Sequence, residues 1–219
     1  MIRPLDQCVL YTFIDIACLR GRDVAEVCKQ LCDGGSDLVQ LRAKNCPMDE
    51  VRRFAERIQP IIRRSGACLV INDYPQLASE VGAPYCHLGQ EDFSAFRHVG
   101  EVPGAKSLNI GLSSHSPDQA ERAIKAGAAY IAVGPVYATP TKPTATPVGL
   151  EYVRWASKQV PIPWFAIGGI NLERLEAVLE AGARRVCVVS AILNAPNIRE
   201  ACQTFKERLI SARQTERKP

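Results

Sequence analysis

No stretch of this 219-residue chain approaches the roughly 20 consecutive apolar residues that a membrane-spanning helix needs, which excludes a transmembrane helix and any membrane partner that depends on one. A C-x-x-C pair is also missing, although there are nine cysteines. Their odd number and scattered positions fit neither a disulfide framework nor a zinc site. Cys68, Cys86 and Cys187 stand in apolar strand-like runs, where a free thiol behaves as a small hydrophobe. Cys28 and Cys32 share a helical spacing without a histidine or third cysteine to complete a metal site, and read as helix core. Cys46 is assigned no role. Residues 1–6 hold an early acid and no basic region leading into an apolar run, so no signal peptide is expected. A reducing cytoplasm suits this cysteine usage. Charge of one sign is scarce too: the net charge is +4, with Lys and Arg interleaved with Glu as on solvated helix faces, and no nucleic-acid partner is expected.

What is present is the patterning of one ordinary globular domain, 47% hydrophobic and 23% charged. Apolar strand candidates recur at residues 9–16, 38–42, 68–72, 85–88, 109–113, 130–133, 164–167 and 186–189. Between many of them lie helix-period segments, at 24–32, 48–64, 117–126, 150–159, 172–181 and 198–211. In the second of these, Val51, Phe54, Ala55, Ile58, Ile61 and Ile62 form one apolar stripe. Alternation of this kind predicts the α/β class, with a parallel sheet covered by helices. Small-residue breaks at Gly34-Gly35, Gly82-Ala83, Gly127-Ala128 and Gly182-Ala183 precede every second strand, where a helix ends and the chain reverses. An open doubly wound sheet predicts a glycine fingerprint after the first strand, and Asp15-Ile16-Ala17-Cys18 has none. The expected architecture is therefore a single TIM (β/α)8 barrel over residues 1–219, with a polar tail fraying from about residue 212.

In such a barrel the strand ends opposite the small-residue breaks carry the chemistry. Ala166-Ile167-Gly168-Gly169-Ile170 and Val188-Val189-Ser190-Ala191-Ile192 are apolar strands that stop in small residues, offering bare backbone N–H groups to a phosphate. Alternation in Gln40-Leu41-Arg42-Ala43-Lys44 sends Gln40, Arg42 and Lys44 to one side and Leu41 to the other. Asp73 and Asp92, on neighbouring strand ends, form a pair able to hold Mg²⁺ against a polyphosphate. Taken singly, Asp92 would cap a helix and Asn72-Asp73 would make a turn. After the fifth strand, Ser116 is the natural N-cap ahead of Pro117, Ser113 is the candidate for substrate contact, and His115 is either an acid–base group or a plain loop histidine. The long irregular segment 134–149, with its hydroxyls, prolines and Lys142, reads as an anion-binding flap or a linker.

Together these strand-end motifs, with His87-Leu88-Gly89-Gln90-Glu91-Asp92 and Gly134-Pro135-Val136-Tyr137-Ala138-Thr139-Pro140-Thr141-Lys142, resemble the thiamine-phosphate synthase family over nearly the whole chain. The resemblance implies condensation of a pyrimidine diphosphate, 4-amino-5-hydroxymethyl-2-methylpyrimidine diphosphate, with a thiazole phosphate or its carboxylated form. The products would be thiamine phosphate and diphosphate, and Mg²⁺ the cofactor, on Asp73 and Asp92. It places Gln40, Arg42, Lys44, Asn72, Ser113 and Lys142 on the pyrimidine diphosphate, with Arg42, Lys44, Ser113 and Lys142 as the catalytic residues, and counts Leu41, Ala43 and Pro140 among the substrate-binding residues. Thr139, Thr141, Gly169, Val189 and Ser190 fall to the thiazole phosphate. Members of that family are often homodimers, which sets the expectation for protein partners. Two departures stand out: the first strand, Tyr11-Thr12-Phe13-Ile14-Asp15, lacks the family's usual Thr-Asp ending, and Ala43 replaces a common Glu. A thiazole tautomerase of the same superfamily would keep the phosphate loops but need neither the carboxylates nor Lys44. A non-catalytic phosphate sensor would bind through Gly169 and Ser190 without turnover.

Overall fold

Side chains alternate along each strand, so a strand covered on both faces needs apolar groups on both. In the computed structural model, which describes residues 4–139, 141, 142 and 144–215, eight parallel strands meet that condition by closing into a ring. They are β1 (Leu10–Asp15), β2 (Leu38–Arg42), β3 (Cys68–Asn72), β4 (Tyr85–Leu88), β5 (Asn109–Ser114), β6 (Tyr130–Val133), β7 (Trp164–Ile167) and β8 (Val186–Val188). Each pairs with the next, and β8 returns to β1 through Leu10↔Val186, Tyr11↔Cys187 and Thr12↔Val188. The outer layer holds α1 (Val24–Asp33), α2 (Met48–Ser65), α3 (Pro75–Glu80), α4 (Gln90–Phe93), α5 (Pro117–Lys125), α6 (Gly149–Gln159), α7 (Leu175–Glu180), α8 (Ser190–Leu193) and α9 (Ile198–Thr215). None of the helices among the described residues is long and apolar enough to cross a membrane.

One set of alternate residues, including Leu10, Ile14, Val39, Leu41, Leu69, Ile71, Ile110 and Leu112, packs outward against the helices. The other set, Tyr11, Phe13, Leu38, Val70, Tyr85, Tyr130 and Phe165, fills the ring itself. Tyr130 is its hub, edge-on to Tyr11, Tyr85 and Phe165 and stacked on His87. Its ring fits only because β5 offers no side chain opposite: a Cβ on Gly111 would lie 2.1 Å from the Tyr130 Cζ.

Helix starts follow local hydrogen bonding. Asp23 accepts from the N–H groups of Ala25 and Glu26 at the start of α1, and Ser116 accepts from Gln119 N–H at the start of α5. Three expectations move. The helix expected over 172–181 begins at Leu175, because the Asn171 side chain and carbonyl both hold Arg174 N–H in a preceding turn. Val189 lies outside β8, its backbone (φ −115°, ψ −85°) having left the strand. The chain expected to fray from about residue 212 stays helical through Thr215. At the lower end, the buried Asp37 carboxylate accepts from Val9 N–H (2.8 Å), Leu10 N–H (3.0 Å) and the Lys206 ammonium (2.5 Å), fastening β1 to α9.

Candidate active site

The upper strand ends surround a cavity of about 360 Å³, within the range of small-ligand sites. Its floor is apolar, made by Phe13, Ala132, Ile167 and Cys187; burial holds the Cys187 thiol far above its usual range. Its walls are polar.

On the first wall, Gln40 and Arg42 of β2 point inward as alternation requires, and Lys44 follows them. Arg42 donates to the Asp15 carboxylate at 2.7 Å, and Asp15 is only 1% exposed. A buried acceptor on the neighbouring strand therefore fixes the angle of the guanidinium. The sequence reading gave Asp15 no role. Leu41 and Ala43, by contrast, are buried in the sheet–helix layer and do not line the cavity. The same alternation that turns Arg42 in turns these two out, so any ligand contact of theirs is through backbone. Pro140 lies outside the described residues.

The second wall carries the carboxylates. Asp73 has a left-handed backbone (φ +65°), its N–H bonded to the His87 carbonyl, a conformation that Asp tolerates better than most residues. Lys44 Nζ stands 3.5 Å from its Oδ2. Burial first, and then the charge of Asp92, push the Asp73 carboxyl above its usual value, against the opposing pull of Lys44. Asp92 sits in α4 and does not cap it. A Cβ on Gly89 would come within 2.8 Å of its Oδ2. Two acids close enough for the charge of Asp92 to act on the Asp73 carboxyl, beside open cavity, fit a divalent cation. Two carboxylates are also the number Mg²⁺ takes when water and phosphate complete its shell. Among the described residues no group of three or more His, Cys, Asp or Glu side chains forms an all-protein metal cage.

Between these walls, His87 Nε2 lies 3.0 Å from Ser113 Oγ, and the Ser113 carbonyl accepts from Gln90 Nε2. His115 also lines the cavity, with its Nδ1 donating to the Gly134 carbonyl, so it braces the start of the 134–149 segment. That segment is rooted on the β7 loop by Val136 N–H to the Ile167 carbonyl (2.8 Å) and Tyr137 N–H to the Gly168 carbonyl (3.0 Å). The contact needs glycine. Gly168 and Gly169 have φ of +103° and +63°, and Cβ atoms there would approach Pro135 Cα to 2.4 Å and the Ala138 carbonyl to 2.6 Å. Arg174 clamps the same junction, donating to the Gly169 carbonyl at 2.9 Å while lying 4.8 Å over the Tyr137 ring. Thr139, Thr141 and Lys142 are thereby delivered to the same cavity as Asn72 and Ser113, and Gly169, Val189 and Ser190 line it too.

A cation-rimmed cavity at the strand C-termini of a (β/α)8 barrel, closed by glycine and serine loops after β7 and β8, defines a phosphate-handling barrel enzyme. Comparison with known proteins narrows the class. The family model described as thiamine monophosphate synthase matches residues 10–192, and the chain belongs to that family of transferases. It is 45% identical over 177 residues to the thiamine-phosphate synthase of Thermus thermophilus, covering 80% of this chain and 84% of that one. To the thiamine-phosphate synthase of Lawsonia intracellularis it is 38% identical over 204 residues, 93% of each. The thiamine phosphate pyrophosphorylase structure from Pyrococcus furiosus superposes with a TM-score of 0.82 at 27% identity, over 96% of this chain and 99% of that one.

Proposed function

We propose that the chain condenses 4-amino-5-hydroxymethyl-2-methylpyrimidine diphosphate with a thiazole phosphate, plain or carboxylated, releasing diphosphate and giving thiamine phosphate. The observation that carries this reading is the Asp73–Asp92 pair set among Arg42, Lys44 and Lys142 on one cavity. A tautomerase or a phosphate sensor has no use for two opposed carboxylates beside three cations.

Asp73 and Asp92 would hold Mg²⁺, which when bound supplies positive charge to a departing diphosphate. Arg42, Lys44 and Lys142 supply the rest from the protein, and Asp15 keeps Arg42 aimed. The bond that breaks joins the pyrimidine CH₂ carbon to a diphosphate oxygen, and its electron pair leaves with the oxygen. The electron-rich ring bears the resulting cationic character. The thiazole nitrogen then donates its lone pair to that carbon, forming the new C–N bond. No side chain need act as nucleophile; the protein's task is to hold two rings in line and exclude water. Gln40, Asn72 and Ser113 hold the pyrimidine diphosphate, and Thr139, Thr141, Gly169, Val189 and Ser190 hold the thiazole phosphate.

The test is a coupling assay with both substrates, with and without Mg²⁺, following thiamine phosphate. Magnesium-dependent product is expected. Folded protein that binds thiazole phosphate and forms no product overturns the reading in favour of a tautomerase or sensor.

A further inference from the structure

Beneath the cavity a line of hydrogen bonds crosses the barrel. Gln40 Nε2 donates to Tyr11 Oη (2.5 Å), which lies 3.0 Å from Tyr130 Oη, itself 3.2 Å from His87 Nδ1; His87 Nε2 then reaches Ser113 Oγ at 3.0 Å. Tyr11 and Tyr130 are at most 1% exposed, and His87 is 8% exposed. The other atom of the Gln40 amide, Oε1, is buried without a hydrogen-bond partner, although Gln40 lines the cavity.

The direction of such a chain is set by counting protons. Gln40 Nε2 can only donate, so the Tyr11 proton passes on to Tyr130, and the Tyr130 proton to His87 Nδ1. An Nδ1 that accepts the Tyr130 proton carries none of its own, so the ring N–H must be on Nε2 and point at Ser113 Oγ. If Nδ1 donated to Tyr130 instead, the Tyr130 proton would be buried with no acceptor in the chain. With its oxygen already accepting from His87, Ser113 has its own proton free for the cavity. Turning the amide over reverses every link. Gln40 would then offer N–H, and Ser113 would spend its proton on His87 and face the cavity with lone pairs alone, which an anion repels.

We propose that Tyr11, Tyr130 and His87 are positioning residues forming a one-way relay, which presents an acceptor at Gln40 and a proton at Ser113 to one ligand bearing an amino group and an anion. For the identity of that ligand, an aminopyrimidine diphosphate, the inference rests on the function proposed above. The relay makes the site selective against a ring that offers an acceptor where the amino group belongs, because such a ring leaves Gln40 Oε1 buried and unpaired.

The deciding experiment is nitrogen-15 NMR of histidine-labelled protein at neutral pH, with His87 assigned by its loss in His87→Gln. The relay requires His87 as the Nε2–H tautomer, while His115, whose Nδ1 donates to a carbonyl, must show the opposite one and serves as internal standard. His87 found as Nδ1–H overturns the proposal. A second arm measures calorimetric binding of inorganic diphosphate with Mg²⁺ to wild type, Ser113→Ala, Tyr130→Phe and the double variant. Each single change is expected to weaken binding about tenfold, with the double variant no weaker than Ser113→Ala. Losses that multiply, or a Tyr130→Phe protein that binds like wild type, refute the relay. Neither arm depends on turnover. A relay that passes both in a protein that makes no thiamine phosphate stands while the function reading falls, and a failed relay in an active enzyme has the reverse meaning.

Discussion

Asp73 pays for its place at the mouth. Its carboxyl is raised above its unfolded value by burial and by Asp92, so the folded state favours the protonated form. The stability it contributes is present below the unfolded pKa and is lost as pH rises through the folded one. At neutral pH the carboxylate therefore opposes folding, and a bound cation relieves it. Asp73→Asn is expected to stabilise metal-free protein at pH 7 by about 1 kcal/mol, or about 3 °C in Tm for a chain of this size. If Asp73 and Asp92 hold Mg²⁺ as proposed, the same change is expected to abolish any Tm increase that Mg²⁺ brings to wild type, and most of the turnover. Thermal melts with and without Mg²⁺ check it; an unchanged or lower metal-free Tm, or a Mg²⁺ response that survives, contradicts the role.

At the scale of strands and helices, complementarity across neighbours is what periodicity cannot report. The alternation in 40–44 told which of Gln40, Leu41, Arg42, Ala43 and Lys44 face inward, because a covered strand leaves one choice per residue. Extending ligand contact to Leu41 and Ala43 followed the motif rather than the pleat. The Asp73–Asp92 pairing was legible because each follows the end of one of two neighbouring strands, whereas Asp15 looked like an ordinary terminus until Arg42 was seen beside it. The relay was invisible for a different reason: Tyr11 and Tyr130 are 119 residues apart, and each reads as one more aromatic in an apolar strand. The nearest sequence signal was Gly111, a glycine inside a strand, which marks close approach of a neighbour. Gly111→Ala sets a methyl 2.1 Å from the Tyr130 ring and is expected to cost about 1–3 kcal/mol or more in urea unfolding. Adding Tyr130→Phe should recover little of it, since removing the hydroxyl at 2.5 Å leaves ring carbons at 2.1 and 2.3 Å; a wild-type midpoint for Gly111→Ala would show that the ring has room to move.

For the molecule as a whole, the ring is only as durable as its seam. β8 meets β1 in three register pairs and β7 in two, against five between β1 and β2. Beside that seam the Asp37 carboxylate, fully buried, grips the start of β1 from below while Lys206 of α9, the long helix that follows β8, 169 residues away in sequence, pairs with it. Contacts of such separation form only after the intervening chain has collapsed, which places this latch beyond the folding barrier. Lys206→Met, removing the ammonium that pairs with the buried Asp37 carboxylate, should then speed unfolding by about tenfold and leave refolding nearly unchanged; stopped-flow denaturant jumps would show slowed refolding instead if the seam closes early. On this expectation, how long a folded molecule survives between openings depends on an ion pair at the opposite end of the barrel from the chemistry.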